Sequence, residues 1–566
     1  MAEKKKNGIT RRNFLKVAGG AGASAMLAAC APSETPTTAP EATATSPPAP
    51  TEAAPTEVPP TEPPPPTPTL IPTPTPVAGA PEPGGVLVEA RTYETTDLDP
   101  KTSLNTESGQ IILPRMYETL VTSDSNLNPV AKLATTWEMI DDLTWEFKIR
   151  QGVKWHDGTD LTVEDVKYSY DIIMDEEQGH PAYRYVTDAE SIEIVDNETV
   201  QFKMKAVNVR FPNQQHWSFI IPQSTADQPE DWLQTNVVGT GPFMLEEWKP
   251  DVEMKLVKNP EYWVPGRPYL DGIDMKVFPE EATSIAGLRT GEVDLCTLED
   301  PNNFQLLVTN PNINLLLVPA NGANFWCFNG DNPPMDDVKV RQAISAAVNR
   351  EEVVELVGAG LGAVSGIITP AFTAVHVPPA DLPFFQYDPE LAKQLLSESS
   401  VPNGFKMDCL YINTLPIMKN GAQLFQTYME AIGIEVELKG METNVWVDTV
   451  VNTGDFHFTT NLDIGGPTPE AILDSVGCGS AIAGFYGPCF EELDAMVSKA
   501  KTTVDPTDYK DLWREIQVYV AENMPTAIWT FARTHVVATQ KWVQGFTAYP
   551  DKAHRKWEDV WMLPTT

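Results

Sequence analysis

The chain has 566 residues, enough for two or three domains with sizeable cores. Its 78 acidic against 40 basic residues leave a formal charge of -38, which argues against a nucleic-acid partner and predicts a surface repelled by anionic lipid. The seven histidines include no pair at helical ligand spacing. No Gly-x-Ser-x-Gly elbow occurs, and Gly358-x-Gly360-x-Gly362 follows a helical pattern rather than a strand. No metal, cofactor, hydrolase or dinucleotide chemistry is therefore expected.

The first 30 residues read as an address rather than as structure. Thr10 to Lys16 (TRRNFLK) resembles a twin-arginine export motif, with Lys4 to Lys6 adding charge ahead of it. The run Val17 to Ala29 is too short and too rich in Gly and Ala to span a bilayer stably. It ends in Leu27-Ala28-Ala29-Cys30, which resembles a lipobox and makes Cys30 the expected lipidated N-terminus. Two acyl chains there hold a protein on a membrane where one is marginal. Ala31 to Pro83 is Pro, Thr, Ala and Glu with almost no large apolar residue, and reads as a disordered or polyproline-like stalk reaching on the order of 150 Å.

After the stalk, Val86 to Val88 begins a strand. From Leu143 the chain alternates, with Trp145, Phe147 and Ile149 to one side and Glu146, Lys148 and Arg150 to the other, the mark of a half-buried strand. Gln151-Gly152 reads as a turn, Val153 to Trp155 as a return strand, and Asp157-Gly158 as a second turn. Thr162, with Asp165 three residues on, opens a helix whose inner face is Val166, Tyr170 and Ile173. A hairpin turns at Asp196-Asn197 between Ile192 and Met204, and a strand follows Gly239-Thr240-Gly241-Pro242. Asn324 to Asn329 reads as a strand, and a single helix is expected from about Asp337 to Val354. Asp388 caps a helix with Pro389 at its first position. Strand Met407 to Ile412, helix Ala422 to Ile432 and strand Ile434 to Leu438 form a unit that favours parallel pairing. A last long helix starts at Asp505-Pro506, and two strands are expected at 527–530 and 534–538. The class is α/β.

Many of these stretches together resemble the peptide/nickel-type (family 5) extracellular solute-binding proteins of ABC importers. The words that carry the resemblance are LTWEFKIRQGVKWHDGTDLTVEDVKYSY (Leu143 to Tyr170), Leu98 to Pro100, Met116 to Val121 and Asn128 to Glu138. Further on come Gly239 to Pro242, Asn259 to Trp263, Gly291 to Leu295 and Asp337 to Val354. The resemblance implies a two-lobed periplasmic-binding-protein-like fold of type II, in its three-domain peptide-binding variant. Lobe I is expected from about 84–325 plus 530–566, with an inserted subdomain at about 121–230, and lobe II from about 326–529. It also implies a monomeric receptor, not an enzyme, that captures a peptide or similar solute and delivers it to an ABC permease. An oligosaccharide or metal-complex ligand, or a peptide-sensing role without transport, stays open, and an exported hydrolase is the weakest alternative.

The resemblance also marks site residues. NLDIGGPTPEAIL places Asp463 where the family has an Asp that salt-bridges the α-amine of a bound peptide. Thr460 stands in place of the family's Trp, and Gly466 in place of its second Asp. Dipeptide-binding members hold the ligand's carboxylate with an Arg after a strand, whereas Asn413 to Leu424 offers only Lys419. Tyr93 and Glu94 are expected on the cleft wall, and Trp326 and Trp446 are candidates for stacking on ligand. Cys478 and Cys489 resemble a disulfide loop of the dipeptide-binding members. With Cys30 lipidated, five cysteines remain, so at least one of Cys296, Cys327 and Cys409 is expected free.

Overall fold

The alternating stretch at 144–149 folds into the middle of a small sheet because Trp145, Phe147 and Ile149 all find cover on one face. The structure, a computed structural model, describes residues 81–92, 95–103, 107–474, 477–478, 490–523 and 527–564. Its first strands are β1 (Val86–Arg91), β2 (Val121–Ser123), β3 (Pro129–Ala131), β4 (Ala134–Asp141), β5 (Thr144–Ile149), β6 (Ala189–Asp196) and β7 (Thr199–Met204). Strands β4-β5-β7-β6 form a four-stranded antiparallel sheet. The helix Val163–Met174 packs on it, opened by Thr162, whose backbone N–H donates to Asp165 Oδ2 at 2.8 Å. Its buried Val166, Tyr170 and Ile173 are the expected face.

The large sheet is built from β1 and from β8 (Phe243–Lys249), β9 (Glu253–Lys258), β10 (Gly272–Val277), β11 (Leu295–Leu298) and β12 (Ile313–Phe328). It continues with β13 (Gly362–Val364), β14 (Lys406–Ile412), β15 (Glu435–Met441), β16 (Phe458–Gly465) and β17 (Ala527–Gln540). The order is β15-β14-β16-β12-β17-β11-β1-β10-β9-β8, with β13 beside β17. Strands β14 and β15 pair in parallel through the helix Pro416–Ala431, as expected for that unit.

Strands β12 and β17 run through more than one core. Ala323 to Phe328 and Ala527 to Phe531 pack into an apolar cluster with the helices of 338–521. Ile313, Leu315, Val536 and Ala538 pack into a second, with Ile285 and Phe304, and Val537 joins a third built on residues 87–295. Between the clusters the β12–β17 ladder shifts register, from Pro319 opposite Thr534 to Ala323 opposite Ala532. Both strands therefore change core in a short polar stretch.

Four sequence expectations are corrected. Val153 to Trp155 is not a strand: Lys154 makes an isolated bridge to Asp160, and β4 and β7 already occupy both edges of β5. The helix from Asp337 is two helices, Val338–Ala347 and Arg350–Leu356, because the Asn349 side chain accepts from Glu352 N and starts the second. The strands expected at 527–530 and 534–538 are one continuous β17, carried past the register shift by β12. The helix expected from Ala422 to Ile432 begins a turn and a half earlier and runs Pro416–Ala431, since a proline in the first turn lacks only an N–H that the helix does not use.

Candidate functional site

The family-like words of the first half converge on one buried ionic cluster. Glu118 accepts from Thr240 Oγ1 at 2.9 Å, Tyr262 OH at 2.8 Å and Trp263 Nε1 at 2.9 Å. Lys132 Nζ stands 3.2 Å from Glu118 and 2.9 Å from Glu558. The glycines of Gly239-Thr240-Gly241 permit this, because a Cβ on Gly239 would lie 1.8 Å from the Met116 carbonyl oxygen. His156 and Asn259 hold the same turn through the Gly241 carbonyl, at 3.1 and 3.0 Å. With Glu118 and Lys132 buried and each given several partners, this cluster fixes the fold rather than presenting a ligand site.

A second ionic group is open to solvent. It lies where β12 and β17 change core, flanked on the other side of β12 by β16. Asp463 on β16 is the register partner of Asn324 on β12, whose Nδ2 donates to Asp463 Oδ1 at 3.4 Å. Asn324 is oriented by Thr530 Oγ1, which donates to its Oδ1 at 3.0 Å. Arg533 on β17 reaches across β12 and ion-pairs with Asp463 Oδ2. These side chains keep 37% (Asp463) and 41% (Arg533) of their surface exposed, unlike the sealed Glu118. Beside them Lys552 Nζ is 2.9 Å from Glu299, Asn321 Nδ2 donates to the Gly466 carbonyl at 2.9 Å, and His535 follows on β17.

Electrostatically the group balances opposite charges. Surrounding protein raises the pKa of Asp463 above the usual carboxylate range, and Arg533, Asn324 and Lys552 pull it back down. His535 is pushed down to about 3 by desolvation, then by Lys552 and Arg533, and stands neutral. The arrangement can exchange charged hydrogen bonds with a small polar solute. Among the described residues no cluster of three or more metal-ligating side chains occurs.

The residues marked from sequence divide sharply. Asp463 lies at the open ionic group, facing Arg533. Trp326 is 0% exposed, edge-on to Phe425, and Trp446 is buried with its Nε1 donating to Thr459 Oγ1 at 3.2 Å. Both rings pack the core and neither is free to stack on a ligand, because large apolar surface is most stable there. Lys419 is exposed in the helix Pro416–Ala431. Thr460 at the family's Trp position is buried, donating to the Met418 carbonyl at 2.8 Å. Cys478 is disulfide-bonded, and Cys296, Cys327 and Cys409 are buried thiols outside any disulfide. Tyr93, Glu94, Cys30 and Cys489 lie outside the described residues. Sequence reading missed Arg533; it sits in ART, between two apolar strand runs, the one available signal.

A profile of the bacterial extracellular solute-binding proteins, family 5 middle region, matches residues 128–481, more than half of the chain. The chain belongs to that family. Heme-binding protein A of Haemophilus influenzae is 28% identical over 468 residues, covering 75% of this chain and 82% of that protein. The dipeptide-binding protein of Escherichia coli is 26% identical over 460 residues, covering 75% of this chain and 84% of that one. Among solved structures, the ABC transporter substrate binding protein CtaP from Listeria monocytogenes matches with a TM-score of 0.75 at 22% identity, over 85% of this chain and 100% of that one. The fold is the type II periplasmic-binding architecture, and the family 5 protein is a binding protein rather than an enzyme. No helix among its described residues is long and apolar enough to cross a membrane.

Proposed function

We propose that this family 5 protein is a lipid-anchored receptor that captures a peptide between two lobes and delivers it to an ABC permease. Lobe I comprises about 84–325 and 530–566, with the subdomain at about 121–230, and lobe II about 326–529. Cys30 carries the lipid, and the Pro/Thr-rich segment lifts the monomeric body off the membrane. Ligand bridging both lobes favours the closed form that the permease recognises.

The observation that carries the reading is Asp463 held half-exposed where β12 and β17 change core. A carboxylate there suits an α-ammonium through charge-assisted hydrogen bonds. The names of relatives point both to dipeptides and to heme, so the ligand must be read from the site.

Calorimetry with a mixed dipeptide pool and its N-acetylated counterpart tests the amine anchor. Acetylation is expected to weaken binding to wild type by roughly ten- to a thousand-fold, and to Asp463→Asn far less, since both changes break one pair. Equal losses in the two proteins refute it.

A further inference from the structure

We propose that residues 208–210 of the inserted subdomain are a latch: they clasp the end of a lobe II helix, hold the closed form whatever the ligand, and set how fast a ligand leaves. The proposal rests on the two-lobe reading and adds the contact that works the closure.

The clasp is built from both sides. On lobe II the helix Glu491–Thr502 ends before Thr503, and the last carbonyls of a helix lack partners within it. Val209 N–H donates to the Lys501 carbonyl at 2.9 Å, and the Arg210 guanidinium to the Thr503 carbonyl at 3.4 Å. A cation there also offsets the negative end of the helix dipole. The guanidinium lies 4.0 Å from the ring centroid of Tyr509, on the next helix, Pro506–Asn523. Tyr509 OH in turn donates to Glu470 at 2.8 Å, and the cation acting on that buried carboxylate is Arg210. Lys501 spans the seam, 2.9 Å from Asp474 on its own side and 3.5 Å from Asp188 on the other.

Asn208 presents the loop. Its Nδ2 donates to Asp188 at 2.9 Å, its Oδ1 accepts from Arg210 N–H at 2.9 Å, and its carbonyl accepts from Trp145 Nε1 at 3.0 Å. The loop thus takes its shape from contacts within the subdomain, before the helix is met. The seam is also built to part. The subdomain strands β2 to β7 lie in sheets of their own, so leaving lobe II breaks no strand pairing. On opening, Lys501 keeps Asp474 and Asp188 keeps Asn208, so neither charge is stranded. The closed seam leaves Arg210 Nε and Glu470 Oε2 buried with no hydrogen-bond partner among the described residues, a cost that opening to water removes. Because the clasp is made entirely by the protein, it favours every closed complex by the same increment. Loosening it lowers the closed population, so all ligands lose affinity by one common factor and selectivity among them stays.

The test is double electron–electron resonance on the full-length protein, with spin labels on Glu190→Cys and Lys510→Cys, exposed positions on either side of the seam. Cys296, Cys327 and Cys409 are buried and stay unlabelled. Arg210→Ala is expected to move the distances to longer, broader values without ligand. Asp188→Asn should do so less, and Arg210→Lys, which keeps the charge but loses the flat stack, should fall between wild type and Arg210→Ala. With the mixed dipeptide pool as probe, Arg210→Ala is expected to bind about ten-fold more weakly, through faster dissociation, with the effect of N-acetylation unchanged. Thermal unfolding shows whether each variant is folded; the two milder variants carry the test if Arg210→Ala is not. The distance readout decides even where no dipeptide binds. If the pool moves the wild-type distance but the variants leave distance and affinity as they were, the seam is a passive contact: the latch falls and the two-lobe reading stands. An acetylation effect that changes in Arg210→Ala also overturns the latch, since the residue then touches ligand. If neither the pool nor any variant moves the distance, both fall together.

Discussion

Glu118 shows what single residues contribute here. It is buried and accepts from three neutral donors besides facing Lys132, so removing its charge leaves a buried ammonium with Glu558 as its remaining carboxylate. Glu118→Gln is expected to lower unfolding stability by about 3–5 kcal/mol; an unchanged urea midpoint would contradict the assignment. At Cys478 a non-reducing peptide map should find a bond to Cys489, while Cys296, Cys327 and Cys409 alkylate only on unfolding. Detection of Cys478 joined to any of the other three would count against that pairing. The family words named Glu118, Lys132, Thr240 and Tyr262 separately, but nothing in the linear chain says that they meet. Arg533 was illegible for the same reason: its partner is set by the order of three strands, and that order is decided by packing remote from both residues.

Elements were more legible than contacts where a local rule acts alone. Capping by Thr162 and Asp388 and the Pro389 helix start all depend on a few neighbouring residues, and each occurs as read. Val153 to Trp155 failed because strand formation needs a free edge, and β4 and β7 had taken both edges of β5. Two glycine substitutions separate close packing from backbone conformation. A Cβ at Gly239 meets the Met116 carbonyl, so Gly239→Ala is expected to cost about 3 kcal/mol or more. Gly152 has open space but a φ of 76°, so Gly152→Ala should cost only about 1 kcal/mol. Equal midpoints for the two variants would contradict this difference. The β2–β3 turn makes a further case. Leu127, at its tip with φ 62°, belongs to the apolar cluster otherwise formed by 323–531. Asp124 fixes that turn by accepting from Asn126 and Asn128 backbone N–H at 2.8 and 2.9 Å. Leu127→Ala should therefore cost about 2–4 kcal/mol in a urea titration, as a core truncation does and a surface one does not.

For the whole molecule, buried histidines set the response to acid. Burial holds His180 down to about 4, and His216 and His554 down to about 3. The unfolded chain binds protons on these rings near the ordinary value of about 6.5, so the stability they confer is present above that pH and is lost as pH falls towards 4. Glu470 and Asp474, raised by burial, act in the opposite sense, upward from the ordinary carboxylate values. The urea midpoint should thus fall between about pH 7.5 and pH 5.5, and fall less in His216→Asn; a midpoint that rises over this interval would overturn the assignment. The α/β class and family were legible from many ordered words along the chain, whereas the site was legible only at Asp463, because its other charge comes from a strand that returns near the C-terminus. The most direct test of that site is native mass spectrometry of gently purified wild type beside the double variant Asp463→Asn/Arg533→Gln. The account predicts a small solute carried through purification by wild type and absent from the folded variant. The same solute retained equally by both would contradict it.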